Sequence, residues 1–326
     1  MVTASDIKKI MALIAQGNTK KTGEISIDGV PANNQYAIIS KLFSGGEENQ
    51  GKLQGQRQCQ SQSQHEHILL RLVVLDSYYA TNAAYSYFSL EDLAQRIIDE
   101  TTAFAKKPKA QKLSDNFFYH ILLQNIKDPS KDEGKAFFEA SYGIKKDGTP
   151  GASLKSLISK YANYCLQMDT TSYPLGFPIY DSLARKSYRK VMIALGLKPQ
   201  MVTTLDYGSI GAYIVALNEL REAIFGKNNT SLFHGMQQFD ILDAYLWQMG
   251  KLEGGNLSLL LTKSEYEQLI ANVKLAPLIT VNKKVINPIE MQILNKLKNK
   301  TSAPFAGIGG GREQFLNTLL AHWRKL

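Results

Sequence analysis

Two stretches decide the reading: Gly148-Thr-Pro-Gly151-Ala-Ser153-Leu-Lys155-Ser-Leu-Ile-Ser-Lys160-Tyr-Ala-Asn-Tyr-Cys165-Leu, and Gly176-Phe-Pro-Ile-Tyr-Asp181-Ser-Leu-Ala-Arg185. Two glycines and a proline mark a turn. Ser153 is a good N-cap, so a helix is predicted over 153–167 with Lys155 at its second position. Leu154, Leu157, Ile158, Tyr161 and Cys165 form its apolar stripe and leave Ser156, Ser159, Lys160 and Asn163 elsewhere. Pro178 stiffens the approach to Asp181, which can cap a second helix over 181–195 that Gly196 closes. Beyond the cap, Arg185, Lys186, Arg189 and Lys190 share one side of that helix as a basic stripe suited to phosphates.

Each part has a plain reading and a chemical one. Plainly, the first is a glycine turn with a solvated lysine, and Asp181 is a helix cap. Chemically, Lys155 lies against the positive helix end, where an ammonium is disfavoured and an attacking amine is favoured. Exposed amides at Gly148, Gly151 and Ser153 could hold a phosphate, with Lys160 beside them. A carboxylate at Asp181 could stabilise a sugar cation or activate a nucleophile.

Around this centre, helical periodicity dominates. Apolar repeats predict helices from His65 to Tyr79, after Ser89, over Leu113–Ile126, 131–142, 209–225 and 237–249, with capping boxes at Thr262–Glu265 and Asn287–Glu290. The class expected is mainly α, with few short strands. Residues 1–44 read as an N-terminal arm. Residues 45–64, rich in Gln, Gly and Ser, read as a flexible linker. Residues 65–272 read as the helical core, and 273–326 as a helical appendage. His65-Glu-His67 lacks a zinc-helix spacing, and Gly307–Gly311 lacks the Lys-Ser/Thr ending of a phosphate loop.

The chain has 326 residues, 38 Lys+Arg against 29 Asp+Glu, and a formal charge of +9. Such a surplus favours anionic partners, nucleic acid before a membrane surface. Cys59 and Cys165 form no CxxC pair, so neither a zinc site nor a disulfide framework is expected, and the usage fits a reducing cytoplasm. No apolar run is long enough to span a membrane, and Lys8 and Lys9 interrupt any signal-like start. No metal or cofactor is expected, and a monomer is favoured over an oligomer.

Residues 148–190 resemble the core of the helix-hairpin-helix DNA glycosylase superfamily, nearest to its 8-oxoguanine glycosylase/lyases. That family has a glycine hairpin, a lysine just after it, and an aspartate opening a later helix. The resemblance implies a helical domain of the helix-hairpin-helix glycosylase fold with a short N-terminal arm. It implies DNA as partner and excision of a damaged purine, with Asp181 as the catalytic aspartate and Lys155 as the Schiff-base lysine. The hairpin spaces Gly148 and Gly151 by two residues where the family has one, and Lys155 precedes Asp181 by 26 positions. A glycosylase must also hold a flipped base between aromatic or apolar groups, and Tyr78, Tyr79 and Asn82, which mix aromatic with amide groups at a helix end, are the candidates. The alternative is a non-catalytic helical nucleic-acid-binding or defence-associated module on the same scaffold.

Overall fold

The computed structural model describes residues 2–19, 26–27, 30–31, 42–43, 57–79, 88–139, 143, 148–151, 153–197, 209–253, 279–281, 284–286, 318, 322–323 and 325–326. Among these residues the protein is mainly helical. The helices are α1 (Ala4–Thr19), α2 (Arg57–Tyr79), α3 (Leu90–Ala105), α4 (Phe117–Lys127), α5 (Lys135–Glu139), α6 (Lys155–Gln167), α7 (Ser182–Ala194), α8 (Ile210–Phe225) and α9 (Gln238–Glu253). The strands are short: Ser26–Ile27 pairs antiparallel with Val30–Pro31, and Ile279–Val281 with Lys284–Ile286. No described helix is long and apolar enough to cross a membrane.

Chain contacts divide the molecule into two interleaved units. One comprises residues 1–34, 181–199 and 241–326; the other comprises 35–180 and 200–240. This grouping differs from a serial arm, linker, core and appendage. Helix α2 also starts at Arg57, so residues 57–64, expected in the linker, are helical. The physical reason is that Gln is a good helix former, and a polar tract can extend a helix whose later turns are anchored by Ile68, Leu72 and Leu75.

In the first unit, Thr3 and Asp6 cap α1 reciprocally: Thr3 Oγ1 donates to Asp6 Oδ2 at 2.7 Å and accepts the Asp6 amide at 3.2 Å. That bonding holds the Asp6 carboxyl below its usual range. Ile7, Ile10, Met11 and Ile14 form the buried face of α1. Helix α7 buries Ala184, Ser187, Tyr188, Val191 and Met192, the 3–4 spacing of an amphipathic helix. It ends at Gly196 (φ +76°), where the Gly196 and Leu197 amides return to Ile193 O and Met192 O at 2.9 Å. Within this unit α9 crosses α7 at close range: Ser187 Oγ donates to Leu246 O at 2.6 Å, and a Cβ on Gly250 would collide with the Leu183 backbone.

The second unit is built around α6. Phe118, Phe137, Phe138, Phe177 and Tyr161 form a connected aromatic cluster there, with Phe138 and Phe177 stacked at 5.9 Å. Residues 174–175 form a turn, Gly176 is left-handed (φ +72°), and 177–180 continue without regular structure, with Leu175, Gly176, Phe177 and Pro178 buried. A buried irregular segment needs partners for its amides and carbonyls. Asn163 Nδ2 donates to Phe177 O at 2.8 Å, Tyr213 Oη to Ile179 O at 2.7 Å, and the Tyr180 amide to Ser159 Oγ at 2.8 Å. The Phe239 amide reaches Leu175 O at 2.8 Å. Side chains thus replace a neighbouring strand.

Candidate nucleic-acid interface

Asp181 caps α7. Its backbone is extended, and Oδ1 accepts the Leu183 amide at 2.7 Å and the Ala184 amide at 3.4 Å. Past this cap the buried face of α7 leaves Lys186 and Arg189 exposed and Arg185 and Lys190 half-buried. Lys190 Nζ sits 5.7 Å from the centre of the Trp323 ring, which holds the base of the stripe against its own unit. Lys186 and Arg189 thus face outward, within about two turns of the half-buried Arg185 and Lys190.

The first half of the motif differs from its reading. Helix α6 starts at Lys155, with Leu154 as its N-cap residue, so Lys155 is the first helical residue. Ser153 stands one residue before the cap position, where its hydroxyl donates to Phe138 O at 3.2 Å and accepts the Lys155 amide at a long 3.4 Å. Lys155 is largely enclosed, its side chain 13% exposed. Nζ lies 3.8 Å from Glu139 Oε1 and 5.7 Å from the Tyr180 ring centre. Lys155, Ser153 and Gly151 border a cavity of about 920 Å³ together with Glu139 and the turn Asp132–Lys135.

Lys160 is corrected outright. It is 4% exposed, and its Nζ donates to Ser156 Oγ at 2.7 Å, so no phosphate on the surface can reach it. Ser159 and Asn163 on the same helix are buried with it. Asn163 and Gln167 both donate to Asp240, whose carboxyl burial pushes up to about 7 against those two hydrogen bonds. Cys165, expected as an inert core thiol, is raised by burial to about 12 and stays un-ionised.

Gly148 has φ +81° and open space around it, and the Gly151 amide donates to Gly143 O at 2.8 Å. An amide committed to a carbonyl is not offered to a phosphate, which removes Gly151 as an amide donor. Asn82 and the side chains of Tyr78 and Tyr79 lie outside the described residues. Lys155 and Asp181 belong to different units, and Asp181 lines neither of the two cavities described.

No protein-family model, curated protein or solved structure matches the chain. The groups that sequence reading missed are His120, Asn125, Asp132 and Glu133. No motif marks them: they meet through a turn between two helices, and only the left-handed potential of an Asp-Glu-Gly triplet hinted at it.

Proposed function

We propose that the protein binds nucleic acid, duplex DNA first, through the outward face of α7. The observation that carries this is the separation of faces on one helix. Ala184, Ser187, Tyr188, Val191 and Met192 are buried, and Arg185, Lys186, Arg189 and Lys190 occupy the remaining side. A rigid row of cations can neutralise successive phosphates, and the formal charge of +9 adds long-range attraction. This is the non-catalytic reading of the helical scaffold.

A narrower reading adds base excision of the helix-hairpin-helix glycosylase type, with Asp181 essential and Lys155 as the nucleophile. One observation favours it: Lys155 stands at the start of α6 beside a cavity of about 920 Å³, large enough for a flipped base. Its pairing with Glu139 is what such chemistry would have to release.

One set of measurements tests both. Anisotropy of a labelled duplex, titrated across salt, should show affinity falling steeply with ionic strength. Lys186→Ala/Arg189→Ala should reduce the salt slope by about 2, one per lost phosphate contact. Binding that ignores this double substitution, or no binding at low salt, would sink the DNA reading. Borohydride trapping on a duplex holding 8-oxoguanine then separates the two. A covalent adduct lost in Lys155→Gln supports excision, and its absence leaves the binding module.

A further inference from the structure

The turn Asp132–Gly134 places two residues in the left-handed region and is fixed there by bonds from α4 and α8. Asp132 is left-handed at φ 45° and ψ 49°, and Gly134 follows at φ +82°. A non-glycine residue there stores strain that packing must offset. Asn125, fully buried on α4, clamps the next residue: its Nδ2 donates to Glu133 O at 2.9 Å and its Oδ1 accepts the Glu133 amide at 3.1 Å. The Gly211 amide on α8 donates to Asp132 Oδ1 at 3.2 Å. A side chain at Gly211 would strike Asp132 and Asn125, and one at Gly134 would strike Ile121.

The product of this clamping is the placement of Glu133. Its carboxylate lies 3.8 Å from Lys107 Nζ and 3.8 Å from His120 Nε2, too far for direct hydrogen bonds and close enough for one ligand atom to bridge. His120 is 4% exposed. Its Nδ1 accepts the Leu113 amide at 3.1 Å, so the neutral ring carries its proton on Nε2. Among the described residues that Nε2–H makes no hydrogen bond. Burial holds the ring below its usual value and Glu133 only partly opposes this, so the tautomer persists near neutral pH. His120 and Glu133 open on a cleft of about 390 Å³ that Lys107, Lys127, Lys131, Gln124 and Asp128 also line. Lys107, Lys131 and Glu133 border the larger cavity as well.

We propose that this cleft binds a small phosphate monoester bearing hydroxyl groups. The phosphate lies between Lys107 and Lys131 and accepts His120 Nε2–H; a ligand hydroxyl donates to Glu133. Three lysines outnumber the Asp128 and Glu133 carboxylates and attract an anion, and the buried imidazole supplies a donor of fixed direction. Glu133, rigid on its clamped turn, rejects ligands that offer only negative charge. The inference is independent of the α7 face, whose residues belong to the other unit.

Calorimetric titration of the full chain with ribose 5-phosphate, inorganic phosphate and ribose tests it. Ribose 5-phosphate should saturate one site and bind about tenfold more tightly than either fragment. Lys107→Ala/Lys131→Ala should weaken it by about tenfold or more, and both side chains are exposed, so the fold should survive. Glu133→Gln should narrow the gap between ribose 5-phosphate and phosphate. Arg189→Ala should change nothing. In the unmodified protein, the His120 ring resonances should shift on addition of ribose 5-phosphate. Four results would each overturn the proposal: no saturable binding, binding indifferent to the lysine pair, binding lost in Arg189→Ala, or an unmoved His120 signal. Tighter binding of a 5′-phosphorylated oligonucleotide to the same cleft would overturn the small-molecule assignment.

Discussion

Asp181 does two separable things in the proposals above, and one substitution separates them. As a cap it needs an oxygen at the Oδ1 position, which takes the Leu183 and Ala184 amides. Asparagine offers the same oxygen; alanine does not. We expect Asp181→Asn to change urea-unfolding stability by a few tenths of a kcal/mol and Asp181→Ala to cost about 1 kcal/mol. Equal losses would show that the cap contributes little. Because the asparagine variant keeps the helix and removes only the charge, it is also the cleaner probe of any excision chemistry. Lys160 teaches the opposite lesson. Its position between Ser159 and Tyr161 reads as the wet side of a helix, yet its ammonium ends on Ser156 Oγ in the interior.

At the scale of elements, helix positions were legible and their surroundings were not. Helices α3, α4 and α7 to α9 follow from apolar spacing, since a 3.6-residue repeat needs no tertiary knowledge. The buried polar residues of α6 were hidden because their partners are remote. Asn163 serves Phe177 O and Asp240, and Ser159 serves the Tyr180 amide, so the need for them exists only once 174–180 packs against α6. The basic stripe was legible because it asks only for one helix; the His120–Glu133 cleft was not, because it needs a turn and two packed helices. Helix crossings give a test of their own. Gly250→Ala gains about 1 kcal/mol of helix propensity, but its methyl group would meet the Leu183 backbone, which cannot rotate away. Overpacking of that kind costs about 1–3 kcal/mol. We expect net destabilisation, read as a lower Tm. An unchanged or raised Tm would mean that the two helices part without cost.

For the whole molecule, the buried titratable groups predict opposing pH slopes. The Asp240 carboxyl is raised from 3.8 to about 7. Its contribution is therefore full below pH 3.8 and is lost as pH rises through 7. His120 and His322 are lowered by burial, so their contributions are full above pH 6.5 and fade as pH falls through their folded values. Asp240→Asn isolates the first slope: its stability relative to the parent should climb between pH 4 and 7, by at most about 1.4 kcal/mol per pH unit. A difference that stays flat over this range would exclude the buried carboxyl as a titrating group. The interleaving of units has a consequence for synthesis. Helix α1 is made before the rest of its unit: Val2 bonds to Ala194 O, and the largest segment of that unit follows Asp240. Residues 35–240 can complete the other unit first. Until residues 241–326 emerge, Ile7, Ile10, Met11 and Ile14 form a sticky amphipathic helix without its full core. During translation that face is therefore apolar surface open to off-pathway association.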